Sequence, residues 1–131
     1  MILRISTLAS KAIGILAKNI FDLDSNPFCD WSIHKFEASG QQYFIATNTV
    51  SLLSVVFDGK SRTEVQFLES FLKWIDGYFS ASHNEYIFNK FILPSSKSIV
   101  WSNALNRKIT GSVNDFVKQA QYFIEHREMT L

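Results

Sequence analysis

Residues 26 to 34 read Asn-Pro-Phe-Cys-Asp-Trp-Ser-Ile-His, which sets a thiol beside a carboxylate and brings an imidazole within reach along the chain. A cysteine nucleophile needs a base or a cation close by to hold it as the thiolate. His34 could supply that base for Cys29 only if the chain folded back, because a run of strand-forming residues lies between them. A turn accounts for the segment better. Asn before Pro favours an Asx-type turn, with the Asn side chain accepting a backbone N–H and Pro holding its own φ. Phe28 and Trp31 then fall on opposite sides of that turn, and Cys29 becomes a small buried side chain. Asp30 and His34 remain as acid and base candidates, with Asp115 as a third.

The second chemical stretch is Asn103 to Asp115, NALNRKITGSVND, which joins an expected strand to an expected helix. Backbone N–H groups at a helix start favour an anion. Arg107 could hold a carboxylate or phosphate through two bonds, with Asn106, Thr110, Ser112 and Asn114 adding amides and hydroxyls. Ser112, Asn114 and Asp115 are equally the residues that any helix start selects, and Asp115 puts negative charge where an anion would sit. The Lys-Ser/Thr pair that ends a P-loop is absent. Trp31 and Asn48 complete the candidate binding set.

The three histidines, His34, His83 and His126, have no metal-ligand spacing, and a single cysteine offers no pair. No metal and no cofactor is expected. The thirteen Lys and Arg are scattered, with only Arg107 and Lys108 adjacent, so nucleic acid is not an expected partner. No apolar run approaches the roughly 18 residues of a membrane span, and the lone cysteine suits a reducing compartment. The expected location is the cytoplasm. Twelve Phe raise the aromatic share to 15%, and any ring left outside the core would mark a partner surface.

The elements that would position these residues follow from periodicity. Ile2 to Ile5 reads as a strand. Ser6 then caps a helix whose apolar positions are Leu8, Ala9, Ala12, Ile13 and Leu16. Trp31 to Ala38 alternates, with Ser32, His34, Phe36 and Ala38 on one face, and Ser39-Gly40 turns it into a second strand over Tyr43 to Thr47. Ser51 to Phe57 is a third strand, apolar enough to be covered on both sides. Ser61 to Glu64 has capping-box spacing, and Val65, Leu68, Phe71, Leu72, Ile75 and Phe79 line the helix behind it. Residues 83 to 93 are a short helix or an irregular connection. Ser98 to Ser102 is the last strand, and Ser112 opens a final helix with Val113, Phe116, Val117, Ala120, Phe123 and Ile124 on one face.

The order NPF-x-DW, then ATNTVSLLSVVFDG, then GSVNDFVKQAQYF resembles a bacterial family of small single-domain proteins classed only as a domain of unknown function. The likeness rests on Asn26, Pro27, Asp30 and Trp31, on Thr47 and Asn48, and on Gly111, Ser112, Asn114 and Asp115. It departs at Cys29, where the family pattern is apolar. The resemblance implies a fold and a bacterial or mobile-element setting, and no activity. The reading is a single α+β domain over residues 1–131, an antiparallel sheet of four to five strands with about three helices packed mainly on one face. The expected function is a non-catalytic binding or regulatory module acting on a protein partner, with a homodimer as one form. The rival is a small enzyme or ligand-binding protein for a phosphorylated or nucleotide substrate, using Arg107, Asp30 or Asp115, and His34.

Overall fold

The computed structural model describes residues 1–129. Strand β1 (Ile2–Ile5) turns Leu3 and Ile5 into the core and Arg4 to the opposite face. Ser6 caps helix α1 (Thr7–Ile13) by accepting the Ala9 amide, and Gly14 ends it at φ 71°, a left-handed value that a side chain resists. Leu16 lies past that stop and is exposed, so the expected apolar face ends a turn early. Strands β2 (Asp30–Ala38) and β3 (Gln41–Asn48) form the expected hairpin, registered from Trp31 opposite Asn48 to Ala38 opposite Gln41. Ser39 and Gly40 both take positive φ at its tip, the handedness that matches strand twist.

Strand β4 (Ser54–Asp58) starts later than Ser51, because Asn48 holds residues 49–51 in a turn. Helix α2 (Glu64–Ala81) is capped by Thr63 rather than Ser61 and buries Phe67, Phe71, Ile75 and Phe79. Val65 is exposed, and Phe67 takes the core position beside it. The stretch after it is helical in three pieces: α3 (Glu85–Ile87), a π turn (Phe88–Ile92) and α4 (Leu93–Ser95). Pro94 in α4 has no N–H and crowds the carbonyl four residues back, which a widened turn relieves. Strand β5 (Val100–Ser102) and helix α5 (Arg107–Met129) follow.

Two expectations are corrected here. The sheet order is β4-β3-β2-β1-β5, and β1 runs parallel to both of its neighbours, so the five-stranded sheet is mixed rather than antiparallel. The crossovers through α1 and through α2 to α4 carry enough chain to return each following strand in the same direction. The helices also divide between the faces. Leu3, Ile5, Trp31, Ile33, Phe44 and Phe57 pack with α1 and α2, whereas Phe36, Ala38 and Ile45 pack under Val113 of α5. The first face is aromatic: Trp31 meets Phe71 edge-on at 5.8 Å, and Phe44 meets Phe67 at 5.1 Å, the ring geometry that quadrupoles favour. No helix among the described residues is long and apolar enough to cross a membrane.

Candidate functional site

On the α5 face of the sheet one cross-strand row is polar from edge to edge: Ser102, Arg4, Ser32, Thr47 and Ser54 are register neighbours across the five strands. Burial obliges Ser102, Arg4, Ser32 and Thr47 to find partners, and the half-buried Ser54 serves as one. Ser32 Oγ meets Thr49 Oγ1 at 3.0 Å, and Thr47 Oγ1 meets Ser54 Oγ at 2.8 Å. Arg4 Nε and Nη2 donate to the two Asp30 carboxylate oxygens, each at 2.9 Å. Nη1 donates to Phe21 O and Ser102 Oγ, and Nη2 also to Asp22 O. All five guanidinium protons are therefore committed. Both partners are essentially sealed from solvent, at 1% and 0% exposure. Arg4 was missed as a key residue in the sequence, although a cation between apolar strand residues was the available signal.

That network decides the fate of the Asn-Pro-Phe-Cys-Asp-Trp motif. Asp30 is an ion-pair partner whose Oδ2 also accepts the Asp24 amide, so its carboxylate is engaged by the scaffold rather than aimed into a hollow. Asn26 Oδ1 accepts the Phe28 amide at 3.0 Å in the Asx turn, and Pro27–Cys29 form one 3-10 turn. Trp31 is fully buried and donates to Phe28 O, which removes it from any binding surface. Phe28 stacks on Phe91 at 5.6 Å. Cys29 is buried, with its thiol on Phe91 O. Asn48 spends its amide on Pro27 O and its carbonyl on the 50 and 51 amides, a tie between two motif segments rather than a binding group.

The second stretch is corrected as well. Helix α5 begins at Arg107, not at Ser112. Asn106 caps it by accepting the Ile109 amide, while Thr110 and Ser112 donate back to the Asn106 and Lys108 carbonyls. Gly111, Ser112, Asn114 and Asp115 thus lie inside a helix, with Asn114 and Asp115 exposed. Arg107 is exposed too. Asp30, Asp115 and Arg107 line none of the hollows that His34 lines, so the enzyme constellation is not brought together. Among the described residues no group of three His, Cys, Asp or Glu side chains could hold a metal ion.

Two features remain unspent. One is a crevice at the carboxyl ends of β1 and β5, with a volume of about 370 Å³. Arg4, Ser32 and His34 form its floor, Thr7 and Asn103 one wall, and Ile109 and Thr110 of α5 the other. His34 sits on the expected strand face, and burial pushes its pKa below the usual 6.5, which keeps the ring neutral near pH 7. Thr7 carried no signal in the sequence, and Asn103 figured only as the start of the second stretch, because only the chain crossing brings the two to His34.

The other feature is the outer edge of β4. Bonds from Asn48 N to Leu53 O and from Gly59 N to Gln42 O set the ladder. In an antiparallel pair, alternate residues bond inward, so Ser54, Val56 and Asp58 direct N–H and C=O outward. Beside this edge lies a hollow of about 480 Å³ walled by Tyr43, Trp74 and Ile124. Tyr122 and Phe123 continue the aromatic surface on α5, at 63% and 69% exposure.

The family model described as Domain of unknown function (DUF6933) matches residues 2–131, so the chain belongs to that family. The resemblance drawn from the motifs, to a family known only as a domain of unknown function, is borne out. No curated protein and no solved structure matches the chain.

Proposed function

We propose that this chain is a non-catalytic binding module that receives an extended segment of a protein partner along the outer edge of β4. The open row of backbone donors and acceptors at Ser54, Val56 and Asp58 carries this reading. Native sheets protect such edges with lysine, proline, a bulge, a charge or shortness; β4 has no lysine, proline or bulge and is guarded only by its length of 5 residues and by Asp58 at its end. The opposite edge differs: Asn19 O accepts the Asn103 amide just past β5, and the Phe21 amide donates to Ser102 Oγ. In strand addition the main chain supplies affinity and alternate side chains find pockets. Trp74 and Tyr43 stand where such side chains would land, and Trp74 is 42% exposed. A regulatory role in the cytoplasm of a bacterium, or on a mobile element, belongs to the same reading.

The test uses Val56→Pro, which deletes an outward N–H and leaves the inward ladder bonds to β3 intact while trimming the Val56 packing on the Ile45 cluster, and Trp74→Glu, which charges the wall of the hollow. A partner identified by co-purification from a bacterial host is reconstituted with the pure full chain and titrated. Both variants should keep their circular dichroism and lose at least tenfold in affinity, about 1.4 kcal/mol. Unchanged affinity in both would overturn the reading. A dimer of the chain alone that Val56→Pro converts to a monomer in sedimentation would make the occupant a second copy pairing edge to edge.

A further inference from the structure

The crevice at β1 and β5 stands apart from the β4 edge and plays no part in strand addition. Its polar side chains also differ from those of the motifs. Around Arg4, Asn26, Asp30 and Asn48 every polar side chain is spent on a neighbour. In the crevice the half-buried His34 imidazole and Asn103 amide line the hollow beside the exposed Thr7 hydroxyl, and none of the three side chains has a hydrogen-bond partner among the described residues. Two half-buried polar side chains left without a protein partner in one hollow are not spent on the scaffold.

Topology explains why the hollow is there. Where neighbouring parallel strands send the chain to opposite faces of a sheet, the diverging connections leave a gap at their carboxyl ends, and ligands settle in it. From β1 the chain leaves to α1, which packs on the Trp31 face, and from β5 it leaves to α5 on the Ile45 face. The volume of about 370 Å³ is within the range of small-molecule sites, roughly 300–1,000 Å³.

Charge selects the class of ligand. Two further hollows adjoin the crevice, one sharing Ile5, Thr7 and Asn103 with it and the other sharing Leu105 and Ile109. Among the described residues no Asp or Glu lines any of the three, whereas Lys11 stands in the first neighbour and Lys108 in the second. Arg4 below contributes no free charge, since Asp30 neutralises it and its five protons are bound. We propose that the crevice binds a small oxyanion-bearing molecule, a phosphate ester or a carboxylate, held by Thr7, His34 and Asn103 and attracted by Lys11 and Lys108.

The experiment is a set of proton–nitrogen NMR titrations of the full chain with AMP, inorganic phosphate, citrate and adenosine at low salt. An oxyanion probe should give saturable shifts at the Thr7, Asn103 and Thr110 amides, and adenosine none at matched millimolar concentration. Saturation by AMP and phosphate identifies a phosphate site, and saturation by citrate alone identifies a carboxylate site. The bound anion should also raise the titration midpoint of the His34 ring, because it favours the imidazolium. Asn103→Ala and Lys108→Gln should each weaken binding three- to tenfold, up to about 1.4 kcal/mol, and the remote Lys97→Gln should not. Lys108 is exposed, so its variant folds even if Asn103→Ala does not. Shifts that spread evenly over surface lysines, or no saturation with any probe, would overturn the proposal. The β4 reading is untouched by either result, because it is measured by partner affinity in Val56→Pro.

Discussion

At the scale of single residues, Arg4 and Asp30 carry a large electrostatic consequence. Their bidentate pair is sealed from water, and removing one member strands a buried charge, which costs about 3–5 kcal/mol. Asp30→Asn should therefore lower unfolding free energy by that order in a denaturant titration. Replacing both, Arg4→Met with Asp30→Leu, should cost less than Asp30→Asn alone, since no charge is then left unpaired. A catalytic Asp30 would show the reverse pattern, with stability unchanged and function lost. The residues that suggested chemistry in the sequence are mostly those the scaffold consumes. Asn26 is legible as a turn former from residue type alone, while the roles of Arg4 and Asp30 depended on which groups the sheet would bring together.

At the scale of elements, two glycines separate local preference from tertiary contact. Gly111 lies inside α5, and a Cβ added there meets nothing within 4 Å. Gly111→Ala should stabilise the chain by about 1 kcal/mol through helix propensity. A Cβ at Gly59 would lie 2.7 Å from the Gln42 carbonyl carbon, part of a backbone that cannot swing away. Gly59→Ala should destabilise by about 1–3 kcal/mol through overpacking, and paired thermal melts check both signs. The helix faces were legible where the period was long, as in α2. The start of α5 was not, because Ser112 to Asp115 is a capping pattern as good as the one at Asn106, and Asn106 prevails by placing Ile109 and Val113 over the sheet.

At the scale of the whole molecule, stability should respond to pH through His34. Its folded-state pKa lies below the usual 6.5 because burial disfavours the imidazolium. The unfolded chain thus binds the proton more readily, and stability rises with pH in that window. The contribution is complete above about pH 6.5 and is lost as the pH falls through the folded-state value. Melting temperature should drop on acidification from neutrality in the native chain and drop less in His34→Gln, as followed by calorimetry. Bound oxyanion would flatten the same profile, which links the measurement to the crevice. The two surfaces, the β4 edge and the β1/β5 crevice, lie at different places on one sheet, so a ligand in one need not obstruct a segment on the other.

Composition, periodicity and turn chemistry determined the α+β class, the β2–β3 hairpin, the Asx turn at Asn26 and the core face of α2, because each depends on residues close in sequence. Tertiary structure alone decided that β1 runs parallel between β2 and β5, that α5 covers the second face, and that Arg4 finds Asp30. Those outcomes are set by long-range pairing and burial, in which residues such as Arg4 and Ser102 meet across nearly the whole chain. The crevice belongs to the same class: Thr7, His34 and Asn103 share no local pattern, and only the crossing of the chain at β1 and β5 puts them in one hollow.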